Sequence, residues 1–162
     1  MLLIFFGLLS VAVTVQARDS LGVYEGWGAF RDAAPFRCFA IAEPVRSSGR
    51  KWRPFASIAH WPAQQVRGQI HIRLSQQKRG DAPVLLTIDD RSITLVGNGA
   101  DAWAANPRAD ASIVAALRSG RSMSIATVAA TGGGFADTYA LRGAATAIDA
   151  AALGCARVIP SK

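Results

Sequence analysis

"TGGGFADTYALRG", Thr131–Gly143, decides the fold. Three consecutive glycines follow a β-like run. They must be either a phosphate-cradling loop of a nucleotide-binding α/β fold or a tight turn between two antiparallel strands. A phosphate loop uses glycines so that backbone N–H groups can approach the anion, and the N-terminus of a following helix adds its dipole. The Walker form further needs a Lys and a Ser or Thr after the second glycine, and this stretch has neither at that spacing. The dinucleotide form G-x-G-x-x-G fails because residue 137 is Asp. The residues that follow, "FADTYAL" (135–141), carry Phe, Thr and Tyr in a strand-like run, so the glycines read as a hairpin turn. No nucleotide or other cofactor is expected.

Working outward, the neighbouring segments agree. "SMSIATVAA" (122–130) supplies the strand before the turn. "VLLTI-DD-RSITLV" (84–96) reads as a second hairpin, with Asp89 and Asp90 where a two-residue turn would sit. "RGQIHIRL" (67–74) alternates: Ile70, Ile72 and Leu74 share one face, while Arg67, Gln69, His71 and Arg73 share the other. This is the pattern of a half-buried antiparallel strand with a wet side. "YEGWGAFR" (24–31), "FRCFAIA" (36–42) and "FASIAHW" (55–61) complete about eight short strands, at spacings of roughly 8–12 residues. "GNGADAW" (97–103) reads as a turn.

Two helices are expected. In "NPRADASIVAALRSG" (106–120), Ile113, Ala116 and Leu117 form a short apolar stripe. Asp110 is the candidate N-cap and Gly120 the stop. The Ala-rich "AATAIDAAALGCARV" (144–158) reads as a second helix, ended by Gly154 beside Cys155. Strands do not alternate with helices, which disfavours a doubly wound sheet. The expectation is a mostly β protein, an antiparallel β-sandwich or barrel-like sheet pair with one or two short helices.

"MLLIFFGLLSVAVTVQA" (1–17) is uncharged and ends in the small residues Val15 and Ala17, as a secretory signal peptide does, although no Lys or Arg opens it. The rival reading is a retained membrane anchor, at the short end of the ~17–25-residue spanning range. The small-residue pattern favours cleavage, leaving residues 18–162 as one domain with no transmembrane span, periplasmic or secreted. In such a compartment Cys38 and Cys155 are expected to form one disulfide. Two buried free thiols are the alternative. Neither cysteine has a Cys or His at ligand spacing, so no metal site is expected.

The net charge is +7, and fifteen of the eighteen basic residues are Arg. Such a balance favours an anionic partner. The best candidate contact is "RSSGRKWR" (46–53), where Arg46, Arg50, Lys51 and Arg53 surround Trp52. Such a loop could hold an anionic envelope or host-surface ligand such as lipopolysaccharide or a sulfated glycan. Its alternative is a solvated loop whose Trp52 packs on the domain. No specific nucleic-acid partner is expected. His60 and His71 have no acid or second His close in sequence, and no G-x-S-x-G elbow occurs. No catalytic residue is therefore assigned, and a non-enzymatic protein is expected, with a hydrolase assembled across loops as the less favoured reading.

Taken together, "WGAFRDAAPFRCFAIAEP", "RPFASIAHWPAQQVRGQIHIRL", "VLLTIDDRSITLV", "ADAWAANPRADASIVAALRSGRSMSI" and "DTYALRG" resemble the invasion-associated locus B family of exported bacterial proteins. The resemblance runs from about Trp27 to Cys155. It implies an exported, mostly β domain, an accessory role associated with host-cell entry in the members that gave the family its name, and pairing of Cys38 with Cys155. It carries over no catalytic residue. The sequence departs from the family pattern at Gly132-Gly133-Gly134, where Arg-Gly-Thr is usual, and at Asp89-Asp90, where Asp-Gly is usual.

Overall fold

A computed structural model describes residues 18–48 and 52–156. The leader expected at 1–17, together with Arg50 and Lys51 of the basic loop, lies outside these residues. The described residues form eleven strands: β1 (Arg18–Tyr24), β2 (Trp27–Ala33), β3 (Phe36–Ala42), β4 (Arg46–Ser47), β5 (Phe55–Trp61), β6 (Val66–Arg73), β7 (Val84–Ile88), β8 (Arg91–Asn98), β9 (Asp101–Trp103), β10 (Ser122–Val128) and β11 (Gly134–Ala140). Two helices join them, α1 (Pro107–Ser119) and α2 (Ala144–Ala156), along with a 3-10 turn at Pro62–Gln64.

The strands make one open sheet in the order β1-β2-β3-β5-β6-β9-β8-β7-β10-β11-β4, antiparallel throughout and not closed into a barrel. β8 turns the corner of this sheet. Its residues Arg91–Leu95 pair with β7, and Val96–Asn98 pair with β9. One strand thus serves both halves, a usual way for a sheet to fold over on itself. The halves share a single core. Ala29, Ala40, Ile58, Ile70 and Ile72 come from one half, and Leu86, Met123, Ile125 and Tyr139 from the other. Trp27 joins the halves by donating its Nε1–H to the Ala140 carbonyl at 2.9 Å.

The antiparallel, mostly β architecture is the one expected, and both decisive turns are hairpins. Val128 pairs with Gly134 across the glycine turn. Gly132 and Gly133 take φ of +88° and +84°, where a Cβ is disfavoured. β11, not a helix, follows them. Ile88 pairs with Arg91 across Asp89-Asp90. Asp89 stands at φ +50°, and its carboxylate accepts from the N–H groups of Arg121 and Ser122 at 3.1 Å. These bonds hold its proton affinity below the ordinary carboxylate range.

Several details differ from the expectations. The run 24–31 is a hairpin rather than one strand, with Tyr24 paired to Trp27 around Glu25-Gly26. β1, β4 and β9 were not foreseen. They are a polar bulged edge, two residues and three residues long respectively, too irregular or short to show period-2 alternation. Asn106, not Asp110, caps α1 by accepting from the Ala109 N–H at 3.0 Å. Asp110 reaches across to the Ile70 N–H at 2.8 Å. Gly154 does not end α2, which continues to Ala156. A Cβ at Gly154 would stand 2.5 Å from Leu21 Cδ1, so this glycine is a notch that seats β1 against the helix. Both helices pack on the inner face of the larger half, α2 mainly on β1–β3 through Ala144, Ala147, Ile148 and Ala151, and α1 on β6. Among the described residues, the outer face of that half carries no helix.

Cys38 of β3 and Cys155 of α2 are disulfide-bonded, with Cα atoms 5.7 Å apart and a sequence separation of 117. Among the described residues no helix is long and apolar enough to cross a membrane.

Candidate binding surface

Of the basic loop, Arg46, Trp52 and Arg53 lie within the described residues. Arg46 sits on β4, exposed, with its backbone paired to Thr138 of β11. Arg53 is exposed and ion-paired to Glu43. Trp52 turns inward and donates its Nε1–H to the Leu74 carbonyl at 2.5 Å. The Arg73 guanidinium lies over its ring at 5.4 Å. Trp52, half-buried, thus pins its end of the loop beside the end of β6.

Arg73 leads into a cluster on the outer face that no local sequence window contains. Asp101 of β9 accepts from Arg73 Nη1 at 2.5 Å and contacts His71 Nε2 at 2.9 Å. His71 stacks on Trp103 with ring centroids 5.3 Å apart and planes 4° apart, and meets the edge of Phe55 at 5.2 Å. Val96 stands opposite Trp103 across β8 and β9 and is 58% exposed. The alternation of β6 places His71 and Arg73 outward. Asp101 and Trp103 could have been added only by reading "DAW" as a strand with the same alternation.

A second cluster occupies the far end of the same face. Asp32 accepts from Arg18 Nε at 2.7 Å and from Arg37 Nε at 2.9 Å. The Arg18 hydrogen bond, followed by that from Arg37, outweighs partial burial and holds the Asp32 carboxyl below the ordinary range. Arg37 lies over both Phe39, at 4.7 Å, and Trp61, at 5.1 Å. Arg18 covers Phe39 at 5.2 Å. Each such cation–π contact contributes on the order of 0.5–1 kcal/mol at exposed sites. The face is thus a lattice of aromatic rings capped by guanidinium groups, each held in place by a carboxylate.

His71 and Asp101 form an imidazole–carboxylate pair, and Ser57 stands beside His71 on β5. A nucleophilic set would need a hydroxyl bonded to that imidazole. Among the described residues no Ser or Thr hydroxyl is hydrogen-bonded to either histidine. Burial, then Arg118 and Arg67, lower the proton affinity of His60, which is neutral at physiological pH. The buried Asp137 is occupied structurally, accepting from Ser47 Oγ at 2.5 Å and the Ser75 N–H at 2.9 Å. No group of three metal-ligating side chains occurs among the described residues.

No protein-family model and no curated protein sequence matches the chain. Among solved structures, the crystal structure of invasion associated protein b from Bartonella henselae is similar in fold. The match covers 83% of this chain and 97% of that one, with a TM-score of 0.58 at 18% sequence identity. The likeness is one of architecture and extends over nearly the whole of the other protein.

Proposed function

We propose that this protein is an exported, non-enzymatic interaction protein of the invasion-associated locus B type, acting in the periplasm or outside the cell. The observation that carries the reading is the fold shared with invasion associated protein b, combined with a disulfide suited to an oxidising compartment. The helix-free outer face supports it, because its aromatic and Arg composition is the kind enriched at recognition surfaces. Non-reducing mass spectrometry of the protein from its native cells is the first test. The expected species begins at Arg18 and carries the intact bridge. A reduced, full-length species in the cytoplasm would refute the reading. A pull-down from the native envelope would then identify the partner.

A second reading is that the partner is anionic and meets the basic loop. Arg46 and Arg53 are exposed, and Trp52 anchors the loop beside Arg73. Substituting Arg50, Lys51 and Arg53 with Ala should abolish salt-sensitive binding to lipopolysaccharide or a sulfated glycan. Unchanged binding would remove this reading.

A further inference from the structure

A cavity of about 570 Å³ opens at the end of the molecule where the disulfide lies, away from the basic loop. Its volume falls within the roughly 300–1,000 Å³ usual for small-molecule sites. The walls are mostly apolar: Pro62 and Val66 from the β5–β6 connection, and Leu153 and Cys155 from α2. Leu153 is 56% exposed, although the helix has an Ala-lined face already buried on the sheet. The β5–β6 connection is also conformationally unusual. Gln65 stands at φ +56°, and the ladder slips register between Ala59 and Trp61. Backbone held this way in a non-glycine residue costs on the order of 1 kcal/mol or more and is concentrated at ligand clamps.

The polar lining is cationic. Arg67 is exposed on the rim and has no carboxylate partner among the described residues. Arg118 is close enough to act on His60 together with Arg67, but its own charge is engaged by Asp149 at 2.6 Å. His60, also on the lining, is neutral and adds no competing charge. Arg67 is thus, among the described residues, an unpaired guanidinium at the mouth of an apolar pocket.

We propose that this cavity binds an unbranched amphipathic carboxylate, with its alkyl chain between Val66 and Leu153 and its head group on Arg67. The pocket is a site separate from the outer face, so its failure would leave the proposed function untouched.

The test is titration of the purified, disulfide-intact protein with laurate below its micellar concentration, followed by calorimetry and by amide chemical shifts. Saturable one-to-one binding is expected, with shifts at Val66, Arg67 and Leu153. Leu153→Asp, at an exposed position that spares the core, should abolish it. Arg67→Ala should weaken laurate by about tenfold, the loss of one charge-assisted contact, while leaving the neutral dodecanol unaffected. Equal affinity for dodecyltrimethylammonium, or an Arg67→Ala variant that binds laurate normally, would overturn the assignment. So would a concentration-dependent dimer that Leu153→Asp dissociates in the absence of any laurate binding, since the occupant would then be a second copy.

Discussion

Tyr139 carries a hydroxyl that the fold does not use. The side chain is fully buried on β11, and its oxygen has no hydrogen-bond partner among the described residues. Burial, with Asp137 and Glu43 nearby, pushes its proton affinity above the ordinary tyrosine range, so the group is always protonated. An unpartnered buried donor costs roughly 1–3 kcal/mol. Tyr139→Phe should therefore raise stability by up to about 1 kcal/mol in urea denaturation, one of the few core changes expected to help. Asp32 predicts the opposite sign. Its folded-state proton affinity is lowered, so its contribution is complete above the ordinary unfolded-state value of about 3.9 and is lost as pH falls through the lower folded value. Arg18 is half exposed, which limits the effect to about 0.5–1 kcal/mol. Denaturation of Asp32→Asn and the parent should differ by that much at pH 7, and the difference should shrink as pH falls below about 3.9. Residue roles were the least legible in sequence. Asp110 fits the cap pattern of α1, but the true cap, Asn106, lies one residue before Pro107, and the Asp110 carboxylate serves a strand 40 residues away. Nothing local encodes such a bond.

At the scale of elements, legibility followed regularity. β6 and the β7–β8 and β10–β11 hairpins show clean alternation and explicit turn chemistry, and each formed as the pattern requires. β1, β4 and β9 depend on neighbours far along the chain. Thr138, for example, supplies the carbonyl that receives the Val45 N–H at 2.7 Å beside β4. The outer face inherits this limit. His71 and Arg73 can be placed outward from sequence, whereas Asp101, which joins them, sits on a strand of three residues, too short to show alternation. Two substitutions separate capping from packing. Asn106→Ala should cost about 1 kcal/mol, the usual value of an N-cap, measured by thermal denaturation. Gly154→Val places branched atoms where Leu21 sits. It should cost roughly 1–3 kcal/mol through overpacking and loosen β1 preferentially, giving faster amide exchange in residues 18–24 than in the rest of the sheet.

At the scale of the molecule, the disulfide dominates. A bridge spanning 117 residues constrains the unfolded chain by about 5 kcal/mol in the chain-entropy model. Reduction should lower unfolding stability by an amount of that order, read as a lower urea midpoint with a steeper slope, because the reduced unfolded chain is less compact and exposes more surface. That pairing could be expected from two cysteines in a sequence that reads as exported. The corner strand β8 could not, because its two partners are specified by ladders on opposite sides of one continuous run of residues.

The same bridge also sets how the protein answers to pulling. Cys155 lies in the last turn of α2, and Cys38 follows β1 and β2. A force applied at the two ends of the described chain is therefore carried covalently across everything from β3 to α2. Of the described residues on the N-terminal side of the bridge, 18–37 pay out, unzipping from the sheet edge one hydrogen bond at a time. At about 3.5 Å per residue they give a slack of roughly 70 Å before the tether goes taut. In an optical trap the oxidised protein should lengthen by that amount and stop, and addition of reductant should release the remainder. A protein built this way can be strained between a surface and a partner and still keep its core intact.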